Sequence, residues 1–200
     1  MTGEATPWNH NVQYYDRLLK ALPDDCRRVL DVGCGDGLLT RALAERGLTV
    51  VALDPDPASV ATTRAEVAGQ ARVEVVEGDV MDPDLDLGTF DAVLAVASLH
   101  HLPLDDGLRR LSALVAPGGL LGVVGLARSR SMWDVLHDAV GSVVSRVLRR
   151  RRGWSNVSAA TVDPDRSYSR VLRVATLLLP GCHYRRHLLF RYSLLWTRPG

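Results

Sequence analysis

Long apolar runs are missing from this chain of 200 residues. No stretch approaches the roughly 20 apolar residues that a membrane-spanning helix needs, and no basic-then-apolar signal pattern stands at the N-terminus. Cysteine is scarce. Cys26, Cys34 and Cys182 are odd in number and lack metal-ligand spacing, which argues against a disulfide framework or a metal site and for reduced thiols in a cytoplasmic protein. Lysine is almost absent: Lys20 stands alone among arginines, a bias that fits GC-rich coding as well as any function. Internal repeats, low-complexity runs and a compositional break marking a second domain are missing too. One domain over 1–200 with a full hydrophobic core is the expectation.

The net charge of +1 hides a division. Residues 1–126 hold 10 Lys and Arg against 19 Asp and Glu, whereas residues 127–200 hold 14 against 4. The acidic part suits a cationic ligand. The basic part suits an anionic substrate, a nucleic acid, an anionic membrane surface, or a merely solvated face.

The chain is organised around Val29-Leu30-Asp31-Val32-Gly33-Cys34-Gly35-Asp36-Gly37. Two apolar residues run into an acid, glycine then takes every second position, and a Leu- and Ala-rich helical pattern follows. That is a buried strand, a turn nearly without side chains, and a helix start. Glycine lets a ligand come against the main chain, and the helix N-terminus presents unpaired N–H groups to it. Cys34 in that turn reads as a small filler.

Elsewhere strands and helices alternate, which means a parallel sheet covered on both faces. A helix over 8–22 begins with His10, Asn11, Tyr14 and Tyr15, an unusually aromatic and hydrogen-bonding start. Strands follow at 27–32, 48–53, 73–77, 90–96 and 120–126. Asp54 ends the second strand and Pro55 follows it, about 20 residues beyond the glycine turn, where a carboxylate reaches ribose hydroxyls. Gly78-Asp79-Val80 follows the third strand, and Ala97-Ser98-Leu99-His100-His101 the fourth, at the sheet edge where ligands bind. Residues 127–164 form an insertion that contains Arg128, an amphipathic stripe and four consecutive arginines from Arg149. A last helix over 166–179 leads to strands at 182–189 and 191–197, too close together to be anything but an antiparallel hairpin.

The glycine turn read as D-V-G-C-G-D-G, with Gly78-Asp79-Val80, Phe90-Asp91-Ala92-Val93 and Ala116-Pro117-Gly118-Gly119 in this order, resembles the class I methyltransferases that use S-adenosylmethionine. It is similar to the group that includes the ubiquinone and menaquinone biosynthesis methyltransferases. The dinucleotide fingerprint would need a third glycine where Leu38 stands, and a pyrophosphate would be repelled by the acids. The resemblance implies a doubly wound seven-stranded α/β sheet of order 3-2-1-4-5-7-6 with the last strand antiparallel. It implies a lid helix at 8–22, a cofactor core at 27–126, and a closing helix and hairpin at 165–198; the insertion at 127–164, least shared with that group, is expected to shape the acceptor pocket.

For the cofactor it implies Asp31, Gly33, Cys34, Gly35 and Gly37 of the first turn, then Asp54 on the ribose with Pro55, Asp79 on the adenine amine with Val80, and Ala97. His10, Asn11, Tyr14, Tyr15 and Arg128 are the acceptor-side candidates. His100 and His101 are the candidate bases, because imidazole titrates near neutral pH. No acidic-Pro-Pro-Tyr segment follows strand four, which argues against nucleic-acid and protein-glutamine acceptors; a small-molecule acceptor is expected, with no nucleic acid and no membrane as partner, and a homodimer is compatible. The alternatives are a cofactor-binding scaffold without catalysis and a dinucleotide-dependent oxidoreductase.

Overall fold

The computed structural model describes residues 14–127, 166–187 and 191–200. Its elements run α1 (Tyr15–Ala21), β1 (Arg28–Val32), α2 (Leu38–Ala44), β2 (Thr49–Asp54), α3 (Pro57–Glu66), β3 (Val73–Glu77), β4 (Phe90–Val96), a 3-10 turn (Leu99–His101), α4 (Leu104–Ala113), β5 (Val115–Gly125), α5 (Tyr168–Leu178), β6 (His183–His187) and β7 (Arg191–Thr197). The sheet order is β3-β2-β1-β4-β5-β7-β6. Strands β1 to β5 pair in parallel, and β7 runs antiparallel to both β5 and β6. This is the expected arrangement, hairpin included.

The central strands read as continuous apolar runs because both of their faces are covered. Leu30, Val32, Val93 and Leu121 point to α4 and α5, where they meet Leu108, Leu111, Val171 and Ala175. Val29, Val50, Leu94 and Val124 point the other way, to Leu18 and Leu19 of α1 and Leu39 and Leu43 of α2. Strand alternation puts Asp31 on that second face, under α2. Helix α1 lies close on the sheet because β5 carries Gly122 beneath it. A Cβ there would stand 2.8 Å from Leu94 Cδ2 and 3.0 Å from Leu18 Cδ2.

The F-D-x-V signature has a structural role of its own. The Asp91 carboxylate accepts from the N–H groups of Arg27 and Arg28, each at 2.8 Å, and so pins the start of β1 beside β4. One boundary differs from expectation. The fifth strand, expected over 120–126, already begins at Val115, directly after α4 ends at Ala113. The pairing shifts register between Phe90 and Ala92, which absorbs the irregular Pro-Gly-Gly stretch. No helix among the described residues is long and apolar enough to cross a membrane.

Candidate active site

The turn after β1 is built from positive-φ glycines. Gly33, Gly35 and Gly37 have φ of 73°, 56° and 75°, values that cost a side-chain-bearing residue. At Gly33 space is decisive as well, since a Cβ would sit 2.5 Å from Ser98 Cβ. The carboxyl ends of β1 and β4 therefore touch there. On the β4 side Ala97 is itself left-handed, at φ 54°. Such a residue is strained by about 1 kcal/mol or more and is held by its surroundings; its N–H donates to the Val124 carbonyl at 2.7 Å.

Asp54 holds the turn from the other side. Its Oδ2 accepts from the Gly35 N–H at 3.0 Å and its Oδ1 from the Asp56 N–H at 3.0 Å. The residue is buried. Each oxygen keeps a lone pair beyond these bonds, so Asp54 can brace the loop and still accept from a ligand.

These ends enclose a cavity of about 330 Å³. The expected cofactor residues Asp31, Gly33, Cys34, Gly35, Asp54, Pro55, Asp79, Val80 and Ala97 all line it. Gly37 stands outside the wall and caps α2 instead. Asp79 is exposed, and its Oδ1 accepts from the Met81 N–H at 2.9 Å, which shapes the loop after β3. Sequence reasoning missed Arg110, whose Nε donates to the Val80 carbonyl at 2.8 Å and whose Nη2 donates to the Leu85 carbonyl at 3.1 Å. That arginine clamps the same loop to α4. Ser98, placed at this sheet edge by the sequence, lines the cavity too, and so do Ser59 and Leu102, which the sequence did not single out.

The wall is acidic, and burial works against its charge. The Asp31 carboxyl is pushed up to about 7, first by burial and further by Asp36 and Asp54, although the Thr40 hydroxyl donates to it at 2.7 Å. Burial raises Asp36 as well. The Cys34 thiol is pushed up to about 12 by burial and by Asp31, and the Thr63 hydroxyl lies 3.3 Å from its sulfur. A thiol in that state is no nucleophile at neutral pH.

The tandem tyrosines and tandem histidines each split between two environments. Tyr15 lines the cavity, and burial with Asp36 and Asp31 lifts its phenol well above the usual value. Tyr14 instead lies against His187, ring centroids 4.9 Å apart. His101 is exposed and lines the cavity. His100, its ring 4.0 Å from that of His101, does not line the cavity; burial, then His101, Arg191 and Arg166, drives it down to about 4. His10, Asn11 and Arg128, and the insertion beyond Ala127, lie outside the described residues.

The cavity suits a nucleoside with a cationic tail. Its glycine turn admits a ligand against the backbone, three buried or half-buried carboxyls (Asp31, Asp36 and Asp54) await positive charge, and the buried Ser98 hydroxyl has no hydrogen-bond partner among the described residues. A pyrophosphate would meet those carboxyls unfavourably.

Comparison with known proteins agrees with this chemistry. Residues 29–119 match the family described as a methyltransferase domain. An uncharacterized methyltransferase of Mycobacterium tuberculosis is 35% identical over 196 residues, covering 96% of this chain and 98% of the relative. A ubiquinone biosynthesis O-methyltransferase of Methylocella silvestris is 39% identical over 111 residues, 51% of this chain and 41% of the relative. Among solved structures, a SAM-dependent methyltransferase from Aquifex aeolicus shares the fold with a TM-score of 0.62 at 17% identity, over 92% of this chain and 88% of that one.

Proposed function

The chain belongs to the methyltransferase family of those relatives, and from that premise we propose that it transfers a methyl group from S-adenosylmethionine to an O, N or C atom of a small-molecule acceptor. The acidic cavity on the positive-φ glycine turn carries this reading. When bound, the cofactor supplies an electrophilic methyl on a sulfonium that leaves as a neutral thioether.

The chain's own residues then have three tasks. Asp54, with the Gly33–Gly37 turn, holds the nucleoside; the loop of Asp79 and Val80, clamped by Arg110, takes the base. Asp31 and Asp36 face the cationic end. His101 stands at the cavity edge, where it can take a proton from a hydroxyl or acidic C–H acceptor as the new bond forms. Orientation supplies much of the remaining rate. Tyr15 makes α1 one wall of this site, which supports a lid role for the helix.

The reading is tested by incubating the protein with methyl-deuterated S-adenosylmethionine and a small-molecule extract. Label is expected in a small molecule, dependent on the enzyme. Tight cofactor binding without any labelled product would favour the scaffold alternative.

Asp31 adds a pH signature. Burial lifts its carboxyl from 3.8 to about 7, so between those values the folded chain holds a proton that the unfolded chain has released. The cofactor-free protein therefore loses stability as pH rises through that window. A cationic ligand beside Asp31 reverses the preference and expels the proton on binding. Affinity for S-adenosylmethionine is accordingly expected to be about tenfold weaker at pH 6 than on the plateau near pH 8. Asp31→Asn should flatten that profile in calorimetric titrations; an unchanged slope would remove Asp31 from the binding step.

A further inference from the structure

The three glycines of the turn after β1 are held in place by different means. A Cβ at Gly33 would stand 2.5 Å from Ser98 Cβ, and one at Gly37 would stand 3.0 Å from Thr63 Cα and 3.1 Å from Glu66 Cβ. Packing therefore fixes the backbone at both ends of the turn. Between them, a Cβ at Gly35 would meet nothing nearer than the Gly33 carbonyl oxygen, at 4.0 Å. Hydrogen bonds hold the middle instead. The Gly35 N–H donates to Asp54 Oδ2 and the Gly35 carbonyl accepts from the Thr63 hydroxyl, each at 3.0 Å. The Cys34 sulfur lies 3.3 Å from the same hydroxyl, but one proton serves one acceptor, and the carbonyl is nearer and stronger. Thr63 is fully buried in α3 and stands behind the cavity wall rather than in it. Its helix is a firm mount, capped by the Asp56 carboxylate and tied to α2 by the Arg41–Glu66 ion pair. The adjacent Thr62 differs: it is exposed, and its hydroxyl donates to the Ala58 carbonyl of its own helix at 2.9 Å.

We propose that Thr63 is a positioning residue for the cofactor, its hydroxyl fixing the Gly35–Asp36 peptide so that the turn is already formed when the ligand arrives. The assignment rests on the methyl-transfer reading and names what shapes the binding turn from behind. A peptide group is planar and trans, so a carbonyl turned to Thr63 turns the Asp36 N–H the opposite way. Removing the hydroxyl frees that carbonyl. Gly35, with no side chain and no packing against it, then has room to rotate. Binding would first have to restore the original peptide orientation, and apparent affinity falls by the fraction of chains that keep it. Neither Thr63 nor Asp54 alone is enough, because each holds one end of the same glycine.

The test titrates S-adenosylhomocysteine by calorimetry into the wild type, Thr63→Val, Thr63→Ser and Thr62→Val, and follows hydrogen exchange of the amides of residues 33–37. Thr63→Val, which keeps the shape and loses the hydroxyl, is expected to bind about tenfold more weakly. Thr63→Ser, which keeps the hydroxyl, and Thr62→Val should stay within about threefold of the wild type. Exchange at Gly35 and Asp36 should quicken in ligand-free Thr63→Val and return toward the wild-type rate once the site is saturated. A general loss of stability would lower the melting temperature without moving an affinity measured well below it. Where Thr63→Val does not fold, Thr63→Ala takes its place against Thr63→Ser. Wild-type affinity in the variant without the hydroxyl, equal losses in valine and serine, or unchanged exchange in the ligand-free turn would overturn the assignment while methyl transfer stands. Absence of S-adenosylhomocysteine binding by the wild-type protein would instead bring down the reading beneath it.

Discussion

Replacing His101 with alanine is expected to lower kcat for a hydroxyl acceptor by about 10²–10⁴-fold, the usual worth of a positioned base. The ring lines the cavity at the end of the 3-10 turn and is exposed, so its removal leaves the sheet and the glycine turn intact. S-adenosylhomocysteine affinity should therefore change little. The neighbouring His100 is the internal control. It does not line the cavity and is half-buried, so His100→Ala should lower kcat far less. Near wild-type kcat in His101→Ala, measured on the identified acceptor, would mean that orientation alone drives the reaction. For an amine acceptor, which arrives neutral, the same variant should lose far less.

Asp54→Ala is expected to weaken cofactor binding by about a hundredfold, through two losses at once. Charge-assisted hydrogen bonds from a bound ribose contribute roughly 1.5–3 kcal/mol. The same carboxylate accepts from the N–H groups of Gly35 and Asp56, so its removal also frees the turn on which the ligand rests. Asp54→Asn separates the two losses: its amide oxygen can keep one of these backbone bonds, and it should retain more affinity than alanine. Wild-type affinity in both variants would place the nucleoside elsewhere.

The cofactor half of the site was legible because each of its parts is local. An acid ending an apolar strand, such as Asp54, is costly unless used, and glycine at alternate positions has few other reasons to exist. The parallel sheet was legible from the alternation of elements and the closing hairpin from the short link before β7; the strand order came from the resemblance to the methyltransferases. Other features depend on tertiary geometry. Whether His100 or His101 faces the cavity turns on the left-handed backbone at Ala97 and the 3-10 turn after it, which a pair of adjacent histidines does not announce. Arg191 looks like one more arginine in an arginine-rich tail; only the antiparallel return of β7 beside β5 brings it to the carboxyl edge of the sheet. The start of β5 at Val115 was hidden by Pro117 and two glycines, residues that ordinarily interrupt a strand.

Calorimetric titration of the wild-type protein with S-adenosylmethionine, S-adenosylhomocysteine and NAD tests the central claim most directly. Both sulfur nucleosides are expected to bind one per chain, with the affinity lost in Asp54→Ala, and NAD is expected to give no heat. Binding of NAD with no heat from either sulfur nucleoside would contradict the account at its root.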